Sequence, residues 1–194
     1  FKYIKMIEAK KPKFFLAENV LGLLSERNSD ALNRILKLFD DIGYEVTLSV
    51  INANHFGVPQ DRVRVIFVGY RKDLNKKFEI KLRKIANSNL KDAIWDLRTN
   101  AVVANEPKVD PENLNFPNHE FASGGFSYVY MSRNRVRHWN EASYTIQAGR
   151  RHIPLHPSAP KMIKVDTDVM KFDERKIEKY RRLSVRECAR IQTF

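Results

Sequence analysis

The sequence predicts a mixed α/β fold joined to a smaller, irregular unit. Three observations carry this expectation. Helical and strand-like patterns alternate over the first 70 residues. After Tyr70 the composition turns Lys-rich and then loop-forming, and an amphipathic stretch with helix-capping residues returns at the end.

The elements follow in order. Residues 1–11 set Phe1, Ile4 and Ile7 at helical spacing, and Pro12, which has no amide proton, stops that helix. The apolar run KFFLA (13–17) reads as a buried strand, with Glu18 and Asn19 directly after it. Leu32, Ile35, Leu36 and Phe39 share one face of a helix over 30–42, with Asn28 or Ser29 as its cap and Gly43 as its stop. YEVTLSVINA (44–53) and RVRVIFVGY (62–70) are rich in β-branched and aromatic residues and read as strands joined by the loop NHFGVPQD. Residues 71–91 are polar and Lys-rich, and residues 100–125 hold Pro, Asn and Gly without a period. Ser184 and Glu187 spell a capping box for a terminal helix, with Leu183 and Cys188 at the positions of a hydrophobic staple.

Composition narrows the function. With 43% hydrophobic residues among 194, a real core forms and wholesale disorder is excluded. Lys and Arg number 35 against 23 Asp and Glu, a formal charge of +12 that points to a polyanionic partner, nucleic acid above all. No apolar run reaches the roughly 20 residues of a membrane helix, and FKYIKMIEAKK has no signal-peptide pattern. The expected setting is therefore cytoplasmic, away from membranes. One cysteine, Cys188, excludes an internal disulfide and fits a reducing compartment.

Several constellations carry candidate chemistry. A carboxylate at a strand end, Glu18, can serve as a general acid, or can simply favour the first turn of a following helix. Arg62 and Arg64 in QDRVR stand two apart on a strand, so they share a face that holds an anion or polar ligand, or ends in solvent. Arg133, Arg135 and Arg137 repeat the spacing within a basic stretch over 132–157, and Arg150 and Arg151 follow. Arginine on a ribbon or loop is the usual reader of guanine edges, and Tyr128, Tyr130, Trp139 and Tyr144 can pack beneath it or stack on bases. A salt-bridged or phosphate-only surface is the alternative. His152 and His156 are four apart, but Pro154 and Pro157 prevent a helix from aligning them, so no metal site is expected. The seven glycines form no GxGxxG or GxxxxGK loop, and Cys188 reads as a packed residue of the terminal helix.

FFLAENV (14–20), GVPQDRVRVIFVG (57–69) and YRRLSVRECARIQTF (180–194) resemble, in order and separation, three signature blocks of the bacterial cytosine-5 DNA methyltransferases. FPNHE (116–120), MSRNRVRHWNE (131–141) and LHPSAP (155–160) are similar to the HaeIII-type members that act on GGCC. The resemblance implies part of a doubly wound S-adenosylmethionine-dependent methyltransferase domain over residues 1–90. It further implies a small irregular target-recognition domain over 91–182 and the start of a return segment over 183–194, with the crossing near 85–100. It assigns Glu18, supported by Asn19, to ring nitrogen 3 of cytosine, and Arg64, supported by Arg62, to the exocyclic oxygen. Arg133, Arg135, Arg137, Thr145, Gln147 and Arg151 become the DNA-contacting candidates, acting on double-stranded DNA with one base flipped out.

The family's Phe-x-Gly-x-Gly cofactor loop and its Pro-Cys-Gln nucleophile loop would precede residue 1, and its closing Gly-Asn-Ala/Ser-Val block would follow residue 194. The chain is then expected to work with a preceding segment or a partner chain that carries Pro-Cys-Gln. The competing expectation is a catalytically silent DNA-binding fragment or a subunit of a split methylase. A basic RNA-binding protein fits less well, since no aromatic RNP pattern and no GXXG loop occur.

Overall fold

The computed structural model describes residues 2–80, 85–104 and 116–194. Phe1 of the first predicted helix, residues 81–84 of the Lys-rich stretch and residues 105–115 of the loop-rich stretch lie outside the described residues. Two compact units make up the chain: Phe1–Asn52 with Val63–Lys84, and Ala53–Arg62 with Ile85–Phe194.

The first unit contains α1 (Lys2–Lys10), β1 (Phe14–Val20), α2 (Ser29–Asp41) and β2 (Tyr44–Asn52). After the two-residue β3 (Gln60–Asp61), which belongs to the second unit, β4 (Val63–Arg71) completes the sheet. The strand order is β1-β4-β2, with β4 antiparallel to both neighbours. β1 and β2 therefore run parallel to each other, and β4 fills the gap between them. Lys11 takes a left-handed turn (φ 45°) ahead of Pro12, so α1 ends where the missing proline amide would have broken it.

One face of this sheet carries the core: Phe15, Val65 and Phe67 pack with Ile4, Ile7, Phe39 and Tyr44. Phe15 stacks on Phe39 at 4.4 Å between ring centroids. Gly69 is required by this packing, because a Cβ there would lie 2.1 Å from the Phe15 ring.

Two expectations for β1 are corrected. The strand runs on through Val20, so Glu18 and Asn19 lie inside it rather than beyond its end; pairing with β4 continues to Val20↔Arg64 and carries the extended backbone with it. Nor is the strand buried on both faces: Phe14, Leu16 and Val20 are more than half exposed. Among the described residues β1 has one strand neighbour and one covered face. Asn28 does occupy the cap position of α2, but its side chain donates to Gly22 O and Ser25 Oγ and makes no cap bond.

The second unit holds α3 (Leu90–Ile94), β5 (Val102–Val103) parallel to β6 (Glu120–Phe121), and β3 parallel to β7 (Ser143–Tyr144). The hairpin β8 (Ile163–Asp166) and β9 (Val169–Lys171) and the helix α4 (Val185–Ile191) complete it. One cluster joins Leu90, Ile94, Leu97, Ile146, Leu183 and Ile191. A second joins Tyr130, Val136, Leu155, Ala159, Met162 and Tyr180. Leu155 sits between two chain segments, bridging Val136 on one side and Arg182 on the other. The terminal capping box forms as expected: Glu187 N donates to Ser184 Oγ at 3.1 Å, and Ser184 N to Glu187 Oε2 at 2.8 Å. Asn89 and Asp92 form a second one at α3, a signal the sequence reading passed over.

Candidate base and DNA-contact sites

In the first unit, the register sets Glu18 opposite Ile66 and Val20 opposite Arg64. Directly paired residues share a face, so Glu18 and Arg64 are diagonal neighbours on one side of the sheet. Their side chains meet: Arg64 Nε lies 2.7 Å from Glu18 Oε1, with the carboxylate nearly half exposed and the guanidinium mostly covered. Arg64 also donates to Val63 O at 2.8 Å, which fixes the plane of its fork. Asn19 turns its Oδ1 onto the Val20 amide at 2.8 Å. Arg62 lies outside both β3 and β4. Strand alternation alone therefore does not place Arg62 on the face of Arg64.

In the second unit, the three arginines spaced by two residues have different surroundings. Their segment is not a continuous strand; only Val136 makes a bridge. Arg133 is exposed and makes no hydrogen bond or ion pair with another described residue. Arg135 donates to Tyr130 O at 2.7 Å and Val129 O at 2.8 Å and lies 4.8 Å over the Tyr130 ring. Burial and the nearby Arg133 charge lower its pKa. Arg137 reaches two carboxylates, Asp61 at 3.0 Å and Glu141 at 3.1 Å, and stacks 4.1 Å over Tyr144.

Thr145 donates to Asp61 O at 2.6 Å, and Gln147 is exposed. Asp61, Arg133, Arg135, Tyr144, Thr145 and Gln147 line one cavity of about 360 Å³. Arg151 is exposed and lines another of about 700 Å³ with Gly124, Gly125, Gly149, His152 and Arg182. Of the aromatics, Tyr130 is fully buried and Trp139 packs edge-on against Trp95 and His156, whereas Tyr128 is 77% exposed.

Sequence reasoning missed a buried polar network. Glu187, wholly buried, accepts two hydrogen bonds of 2.8 Å from Arg181 and lies 3.5 Å from His156 Nε2. Burial alone would raise the Glu187 pKa, but the Arg181 bonds and charge outweigh it and the net direction is down. His119, also wholly buried, bonds Ser184 Oγ at 2.8 Å and Leu97 O at 3.0 Å. These histidines hold the fold together, and among the described residues no group of three or more His, Cys, Asp or Glu is placed to hold a metal. Burial pushes the Cys188 thiol up to about 12, and the side chain packs with Leu183 and Ile191. No helix among the described residues is long and apolar enough to cross a membrane.

Comparison with known proteins supplies the family. The model of the C-5 cytosine-specific DNA methylases matches residues 1–194, and the chain belongs to that family. It is 52% identical over 194 residues to the type II methyltransferase M.MthTI of Methanothermobacter thermautotrophicus, covering all of this chain and 59% of that protein. It is 46% identical over 198 residues to M.FnuDI of Fusobacterium nucleatum, covering all of this chain and 58% of that one. The chain thus spans less than two thirds of these curated relatives. Its fold is similar to that of a candidate DNA modification methyltransferase encoded within an E. coli prophage, at a TM-score of 0.64 and 18% identity over 98% of this chain and 61% of that one. It is also similar to the Entamoeba histolytica methyltransferase EhMeth, at 0.54 and 17% over 94% and 51%.

Proposed function

We propose that the chain is the central part of a DNA (cytosine-5-)-methyltransferase of a restriction–modification system, acting on double-stranded DNA at GGCC with S-adenosylmethionine as methyl donor. The observation that carries this is the Glu18–Arg64 pair, a carboxyl and a guanidinium side by side on one sheet face. Cytosine carbon 5 is a poor nucleophile until a thiolate adds at carbon 6. That addition drives negative charge onto ring nitrogen 3 and the neighbouring exocyclic oxygen. A carboxyl at nitrogen 3 and a guanidinium at the oxygen match that ring edge. In this reading Glu18 supplies the proton and Arg64 stabilises the oxygen, with Asn19 and Arg62 in support.

The thiolate is not Cys188, which is packed in α4 with its proton held by burial. S-adenosylmethionine would supply the methyl group. The described residues do not fit it on their own. The first unit's cavity of about 620 Å³ is lined by apolar side chains together with Lys2, Tyr3, Glu18 and Asn19; its one carboxylate, Glu18, is engaged by Arg64, and no second carboxylate stands in that lining to meet a sulfonium or a ribose. The first unit is accordingly read as part of the catalytic domain and the second as containing the recognition domain. There Arg133 and Arg151, exposed and beside cavities, are the leading readers of guanine oxygen 6 and nitrogen 7.

The test uses the full-length protein, labelled S-adenosylmethionine, and GGCC and scrambled duplexes. Label should appear on cytosine of GGCC only. Glu18→Gln should lower turnover by roughly 10² or more, and Arg64→Ala by roughly 10² to 10³, with little change in DNA affinity. Normal turnover with lost DNA binding in Glu18→Gln would overturn the assigned role.

A further inference from the structure

We propose that Arg137 is a positioning residue, not a DNA contact: it clamps Asp61, and through Asp61 the peptide that carries Arg62. The proposal rests on the functional reading above, which gives Arg62 its supporting role.

The Arg137 guanidinium has three partners. Its Nη2 lies 3.0 Å from Asp61 Oδ2 and its Nη1 3.1 Å from Glu141 Oε1, while its face covers the Tyr144 ring. Glu141 is itself fixed, since its Oε2 accepts the His138 amide at 2.6 Å. The His138 amide and the Arg137 cation hold the Glu141 carboxyl below the usual carboxylate range. One cation thus stands between two carboxylates. The guanidinium's charge is already met by these two carboxylates, which leaves less of it to offer a DNA phosphate. The neighbouring Arg133 has no such partners and is exposed.

The clamped end is equally well defined. Asp61 receives the Thr145 hydroxyl on its backbone oxygen at 2.6 Å, and Ser143 N donates to Pro59 O at 2.9 Å. β3 runs beside β7 in the register Gln60↔Ser143 and Asp61↔Tyr144, with Gln60 1% exposed. Further back, the Asn54 amide donates to Val58 O and Ser88 O. The segment before Arg62 is therefore held at several points, and the Arg137–Asp61 ion pair fixes the residue directly adjacent to it. Asp61 is thus held at its side chain by one arm of the guanidinium and at its backbone oxygen by Thr145, which limits how far the next peptide can move.

The experiment measures single-turnover methylation and GGCC-duplex affinity at several salt concentrations. It uses the full-length protein carrying Asp61→Asn, Arg137→Gln, both, or Arg62→Ala with and without Asp61→Asn. We expect each of Asp61→Asn and Arg137→Gln to slow the chemical step by about 10- to 10²-fold, the scale of a small misplacement near reacting groups. The double variant should be no slower than the worse single one. Neither change should alter the salt slope of binding, and on the Arg62→Ala background Asp61→Asn should cost nothing further. A general structural loss would persist on that background and would overturn the proposal. So would a salt slope lower by about one in Arg137→Gln, which marks a lost phosphate contact. Tighter DNA binding by Asp61→Asn, or wild-type rates in both single variants, would overturn it too. If the wild type binds GGCC without methylating it, the functional reading and the positioning role fail together. The salt slope of Arg137→Gln then still decides whether this arginine touches DNA.

Discussion

Acid should unfold this protein through His156. The ring is wholly buried, with Trp139 edge-on at 5.1 Å. Ser158 N donates to Nδ1 at 3.2 Å, which leaves the proton of the neutral ring on Nε2, 3.5 Å from Glu187. Burial, with the Arg181 charge adding to it, pushes the His156 pKa from 6.5 down to about 3. The unfolded chain therefore takes up this proton first as pH falls. The stability tied to the neutral ring is complete above pH 6.5 and is lost progressively as pH drops toward 3. At pH 5 the unfolded imidazole is nearly all charged and the folded one nearly all neutral. At roughly 1.4 kcal/mol per pH decade, the loss between pH 7 and pH 5 comes to about 2 kcal/mol. Urea unfolding at both pH values, on wild type and His156→Asn, isolates this contribution from that of the other histidines. The wild type should lose about 2 kcal/mol more than the variant on moving to pH 5. Equal losses in the two proteins would refute the reasoning.

Three further outcomes are expected. Glu187→Gln leaves the Arg181 guanidinium without its buried counter-charge and should destabilise the protein by about 3–5 kcal/mol in the same urea assay. Gly69→Ala drives a methyl into the Phe15 ring and should cost about 1–3 kcal/mol, read as a lower thermal midpoint. Cys188→Ala should leave methylation by the full-length protein intact, and the wild-type thiol should resist alkylating reagents at neutral pH, because burial holds its proton.

What the sequence made legible was local. The helices α1, α2 and α4 and the strands β2 and β4 follow from apolar period, proline and capping residues, all within a few positions of each other. The length of β1 was not legible, because its last three residues are extended by pairing with a strand more than forty positions away. The same holds for the candidate sites. Resemblance named Glu18 and Arg64, but only the register makes them diagonal neighbours. The spacing of Arg133, Arg135 and Arg137 suggested one shared role. Their partners come instead from Val129 and Tyr130 just before them and from Asp61 far upstream, and these give each arginine a different surrounding. The structural roles of His119 and His156 were not legible because their buried partners, Ser184 and Glu187, lie further along the chain than local spacing reaches.

The two-residue pairing of β3 with β7 also bears on how such chains diversify. It joins Gln60–Asp61 to Ser143–Tyr144, so one short ladder closes a loop of some eighty residues. The entropy of closing a flexible loop grows only with the logarithm of its length, and doubling the loop adds about 0.6 kcal/mol. Exposed connections within that interval can gain or lose residues at little thermodynamic penalty, whereas its strands and core residues cannot. On the proposed reading, recognition can therefore vary in the exposed connections between β4 and β7 while β3, β4 and β7 stay as they are.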